Sequence, residues 1–86
     1  MLKFIYTPVF IRQLKKLDED LLAEVLEKME MFKNVSSHKS LKVHKLNGKY
    51  RNCYSFSVNY EFRVIFSYGK KNVIEILTIG DHSIYK

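Results

Sequence analysis

The chain has 86 residues, enough for a single domain (1–86) with one modest core. Its 47% hydrophobic and 28% charged residues exclude a disordered chain and predict a globular one. Fifteen Lys and Arg against nine Asp and Glu leave a net charge of +6. That favours nucleic acid or an acidic protein as partner, the plain alternative being a solvated basic surface.

Residues 2–6, LKFIY, read as a short strand rich in aromatic and branched side chains. Thr7 can cap a helix whose first position is Pro8, where no amide donor is needed. Phe10, Leu14 and Leu17 follow at helical spacing over residues 8–17. Pro8 and Arg12 interrupt the apolar N-terminus and no small-residue cleavage site follows, so no signal peptide is expected. A second helix over 18–34 starts at Asp18, with Glu19 and Asp20 at its positive end. Leu22, Val25, Leu26 and Met29 form its apolar stripe, extended by Phe32, with Glu24 and Lys28 outside. Asn34 and the polar run through His38 end it, and His38 reads as a surface residue.

From Leu41 the period becomes alternating, predicting strands at 41–46, 53–58, 62–67 and 73–79. A three-residue loop from Asn59 to Glu61 pairs Val58 with Phe62, Phe56 with Val64 and Tyr54 with Phe66. These six apolar side chains share the core face, while Ser57 opposes Arg63 and Ser55 opposes Ile65 on the other. Asn59 tolerates the positive backbone angle that such a loop often needs. The single cysteine, Cys53, excludes an intramolecular disulfide, so packing alone holds the fold and the cytoplasm is the expected compartment. The architecture expected is α+β: two N-terminal helices packed on one face of a small antiparallel sheet, with the other face at least partly open. No membrane span, cofactor or metal site is expected, since no apolar run is long enough and no His or Cys spacing suits zinc.

The open face gathers the chemistry. Lys42 and His44 point to one side of the first sheet strand, and Lys45, Lys49 and Arg51 follow around the turn Asn47-Gly48. Cations hold phosphates and aromatic rings stack on unpaired bases, so these four basic residues are the candidate RNA-binding set. Tyr50 and Tyr54 interleave with them. The register turns Tyr54 inward and leaves Tyr50 open. Arg63, in the apolar stretch FRVIF, either forms a structural ion pair with Glu61 or Glu75, or holds a phosphate and stabilises developing charge. Glu61 can equally be a plain turn residue. His82, after Gly80-Asp81, is either a structural or exposed histidine or is placed to pass protons near neutral pH, and Tyr85 either anchors the tail or stacks and donates a proton.

The order and spacing of LKVHKLNG, CYSFSVNYEFRVIF and IGDHSIY resemble the RelE/ParE superfamily of toxins from bacterial toxin–antitoxin pairs, over nearly the whole length. The resemblance implies the same two-helix, one-sheet fold. It also implies cleavage of messenger RNA on the ribosome without metal: the ribose 2′-hydroxyl attacks the adjacent phosphate, giving a 2′,3′-cyclic phosphate and a free 5′-hydroxyl. Arg63 then matches the arginine set against the scissile phosphate, and His82 a C-terminal general acid. His44 matches a histidine before an L-x-G turn and Glu61 an acidic hairpin residue, both found in YafQ-like members. Tyr85 matches a C-terminal aromatic. Ser55 and Ser57 depart from the pattern: RelE carries lysines there, and YafQ-like toxins a histidine at the second. An acidic cognate antitoxin is the implied protein partner. The alternatives are a ParE-like inhibitor of DNA gyrase and a non-catalytic RNA-binding domain of the same fold.

Overall fold

The computed structural model describes residues 2–81. The elements run β1 (Lys3–Tyr6), α1 (Pro8–Lys15), α2 (Glu19–Phe32), β2 (His44–Lys45), β3 (Tyr54–Ser57), β4 (Arg63–Tyr68) and β5 (Val73–Gly80). Single 3-10 turns at Val35–Ser37 and Gly48–Tyr50 flank β2. Both helices start as the sequence predicts. The Thr7 hydroxyl oxygen accepts from the Phe10 amide at 3.1 Å, ahead of Pro8. Asp18 accepts from the Leu21 amide at 2.8 Å, with Glu19 and Asp20 in the first turn.

The five strands form one sheet in the order β1-β5-β4-β3-β2. It is mixed rather than wholly antiparallel, because β1 runs parallel to β5 with Lys3 beside Val73. The rest is an antiparallel meander. The hairpin between β3 and β4 has the predicted register: Tyr54 faces Phe66, Phe56 faces Val64 and Ser57 faces Arg63. Its loop conformation differs from expectation. Asn59 is absent from the positive-φ residues; Lys42, Asn52, Lys71 and Gly48 adopt that region instead. The Asn59 side chain acts by hydrogen bonding: Oδ1 accepts from the amides of Glu61 and Phe62 at 2.8 and 2.9 Å.

β1 stops short of the C-terminal half of β5, and α1 takes over that edge. The Thr7 hydroxyl donates to the Leu77 carbonyl at 2.6 Å, and Gln13 Oε1 accepts from the Ile79 amide at 2.9 Å. Gln13 thus satisfies a strand donor that no neighbouring strand reaches. A bulge in the β4–β5 register places Ile65 opposite Thr78 but Phe66 opposite Ile76, so Leu77 is the extra residue. The bulge returns both Ile76 and Ile79 to the core, which strict alternation would have placed on opposite faces.

The core lies between the helices and one sheet face. Phe10, Val25, Met29 and Phe32 meet Phe56, Val58, Val64, Phe66, Ile74 and Ile76 there. Phe32, the last residue of α2, is its hub. Its ring stacks on Phe56 at 5.0 Å and meets Phe66 edge-on at 4.8 Å. It also stacks on His38 at 4.4 Å, while His38 Nε2 lies 2.8 Å from the Phe32 carbonyl oxygen. His38 is therefore half-buried and structural, not a surface residue. Leu26 leaves the predicted stripe: it is 51% exposed, because Val25, Met29 and Phe32 already fill the face toward the sheet. The predicted strand 41–46 shrinks to His44–Lys45, since Lys42 has φ +57° and breaks the extended backbone. Burial alternates only as far as His44, with Leu41 buried, Val43 half-buried and Lys42 and His44 exposed; Lys45 is exposed too, and Leu46 returns to the interior.

Candidate nucleic-acid interface and catalytic site

Arg63 opens β4 on the face turned away from the helices. Its partners across the sheet are Ser57 on β3 and Gly80 on β5. Both are small, so neither crowds the guanidinium. Nη1 of Arg63 is buried, and the residue as a whole is half-buried. Glu75 pairs with Ser67, about 13 Å further along the strand, too far for the ion pair that the sequence left open.

Arg63 lines a cleft of about 600 Å³. One wall is α2, through Glu24, Lys28 and Met31; a second is the segment Ser40–Lys42. The third is the hairpin, through Ser57, Val58, Asn59 and Tyr60. Asn59 ties two walls together, its Nδ2 donating to Glu24 Oε1 at 2.8 Å. Glu24 and Lys28 are thus half-buried cleft residues, not an outward helix pair. Lys28 bonds instead to Glu27, at 3.1 Å. The helical spacing 24, 28, 31 was the available signal: it marks a second stripe beside the core stripe.

Of the predicted site residues, the cleft gathers Arg63 and Lys42. His44 shares the sheet face of Arg63, because it pairs with Ser55, which in turn pairs with Ile65, two residues on from Arg63. Two strand spacings and two residues separate His44 and Arg63, about 12 Å between backbones. His44 is exposed, and its Nδ1 lies 2.8 Å from the Lys42 carbonyl oxygen. A carbonyl only accepts, so Nδ1 holds the proton and neutral His44 keeps its lone pair on Nε2. Glu61 is exposed in the hairpin loop, outside the cleft wall. Lys45, Lys49 and Arg51 are exposed and also outside it; Lys49 Nζ sits 5.4 Å from the half-buried Tyr50 ring. His82 and Tyr85 lie outside the described residues.

The middle of this sheet face is closed rather than open. Ser55 and Ile65 are fully buried, so access is concentrated at the hairpin end, around Arg63. Among the described residues, no three His, Cys, Asp or Glu side chains gather as metal ligands, and no helix is long and apolar enough to cross a membrane.

The two helices on a five-stranded mixed sheet, with an arginine at the mouth of a cationic cleft, form the RelE-like toxin fold. The chain is similar to the toxin–antitoxin complex YoeB–YefM of Staphylococcus aureus, with TM-score 0.74, 19% identity, and 95% of this chain and 98% of that one covered. It is similar to the RelE–RelB complex of Pyrococcus horikoshii, with TM-score 0.74, 22% identity and 93% of each chain covered. It also resembles YafQ of E. coli, with TM-score 0.68, 15% identity, and 98% of this chain and 97% of that one covered. None of the curated proteins matches. Residues 8–82 match the HigB-like toxin family, described as the RelE-like toxin of the type II toxin–antitoxin system HigB. The chain belongs to that family.

Proposed function

We propose that this protein is an endoribonuclease that cuts messenger RNA on the ribosome, with side chains rather than a metal ion supplying the charge. The observation that carries this reading is Arg63, half-buried at a cleft that Lys28 and Lys42 also line. Three cations beside one carboxylate, Glu24, suit a phosphodiester. In the reaction, the ribose 2′-oxygen forms a bond to phosphorus as the bond to the 5′-oxygen breaks. Arg63 stabilises the charge that gathers on the phosphate oxygens. The 2′-hydroxyl proton goes to His44 Nε2, a base favoured over Glu61 because the Lys42 carbonyl orients its ring. His82 gives a proton to the departing 5′-oxygen, the role that its resemblance to a C-terminal general acid implies. Tyr85 stacks on the substrate, and Lys45, Lys49 and Arg51 hold flanking phosphates.

The solved relatives include toxins in complex with YefM and RelB antitoxins. By extension, an acidic antitoxin covers the basic surface of this chain, whose net charge is +6. Expression of the chain alone, with mapping of cut ends on cellular messages, tests the ribonuclease. The expected result is cuts within coding regions that bear 2′,3′-cyclic phosphate and 5′-hydroxyl ends. Intact messages together with double-strand DNA breaks would make the protein a gyrase inhibitor instead.

A further inference from the structure

We propose that the cleft beside Arg63 holds an unpaired nucleotide flanking the cut, with Tyr60 as the platform on which its base stacks. The proposal rests on the ribonuclease reading and adds the residue that grips substrate next to the reacting phosphate. Tyr60 is 98% exposed, more than any other large hydrophobic among the described residues. It is nonetheless mounted on a fixed turn. Asn59 binds the backbone amides of Glu61 and Phe62 with Oδ1 and holds Glu24 of α2 with Nδ2. A ring on an anchored turn loses little freedom when a base settles on it.

The remaining walls choose the ligand. Lys28, Lys42 and Arg63 stand against the single carboxylate Glu24, an excess that calls for an anion. The exposed contact of Lys28 with Glu27 is weakly held and easily exchanged for a phosphate. Leu41 and Val58 are spent in the core, at 2% and 1% exposure, so the apolar side chains left for a ligand in the cleft are Tyr60 and Met31. A flat ring beside cations suits an unpaired base with its phosphate. The volume, about 600 Å³, lies within the range of small-ligand sites.

The test uses ribosomes programmed with short messages that carry a 2′-deoxy residue at a mapped cut, which blocks the nucleophile, and one abasic position nearby. Binding of the wild-type protein, Tyr60→Phe and Tyr60→Ala is compared. Tyr60→Ala is expected to bind the intact message about 5- to 150-fold more weakly, and Tyr60→Phe like the wild type. An abasic substitution at one flanking position should weaken the wild type but add nothing to Tyr60→Ala, because both remove the same stack. Unchanged binding by Tyr60→Ala, or equal abasic losses in all three proteins, overturns the proposal. So does a Tyr60→Ala protein that keeps RNA but no longer co-purifies with its antitoxin, since the ring then serves a protein. If the wild type cuts no message at all, the ribonuclease reading itself fails and the nucleotide site with it.

Discussion

At the scale of single residues, the proposed reaction would divide its chemistry between Arg63, for charge, and His44, for the proton. Arg63→Ala should lower the single-turnover rate far more than it weakens message binding, because its contribution grows as the phosphate gains charge. Arg63→Lys should recover only part of that rate, lacking the planar two-pronged donor. His44→Gln keeps a side-chain amide able to bond the Lys42 carbonyl but removes the base, so the rate should fall by roughly 10²–10⁴-fold with folding intact. A full rate in that variant would hand the role to Glu61. Tyr68 titrates by a different logic. Desolvation, then the neighbouring Tyr54, raises its hydroxyl above the ordinary value of 10.0. The fold favours the neutral phenol, so this contribution to stability is full below about pH 10 and is lost as pH rises through the folded-state value. In an alkaline absorbance titration, Tyr68→Phe should remove a tyrosine from the late end of the curve.

At the scale of elements, α2 shows how far periodicity reaches. Val25, Met29 and Phe32 on one side are core, and urea titration should rank the helix accordingly. Phe32→Ala, which empties the aromatic hub, should cost about 3–5 kcal/mol. Leu26→Ala, half in water, should cost well under that. Asn59→Ala breaks two backbone bonds and the tie to Glu24, and should cost about 1–3 kcal/mol. The caps at Thr7 and Asp18 and the register of the β3–β4 hairpin were legible, because local side-chain chemistry and a two-residue period decide them. Leu26 was not, since one apolar residue too many on a helix face is resolved only by the width of the sheet beneath it. Nor was the cleft. Glu24 and Lys28 read as an outer pair until the hairpin, over thirty residues away in sequence, folds against them. The left-handed backbone at Lys42 gives no sequence signal of the kind a glycine would.

At the scale of the whole molecule, charge governs association. With +6 on 86 residues, encounter with an RNA-laden ribosome or an acidic antitoxin should slow steeply as salt rises. Stopped-flow association with the antitoxin at increasing sodium chloride checks this; a salt-independent rate would assign the encounter to apolar contacts. The parallel pairing of β1 with β5 bears on the life of the protein during its own synthesis. β1 is made before its partner β5, so this edge of the sheet cannot close while β5 is still inside the ribosome. Arg63 likewise lacks its Gly80 neighbour until then. If the chain cuts messages on the ribosome as proposed, it would do so only after this edge closes, and the interval before closure would leave an antitoxin time to capture it.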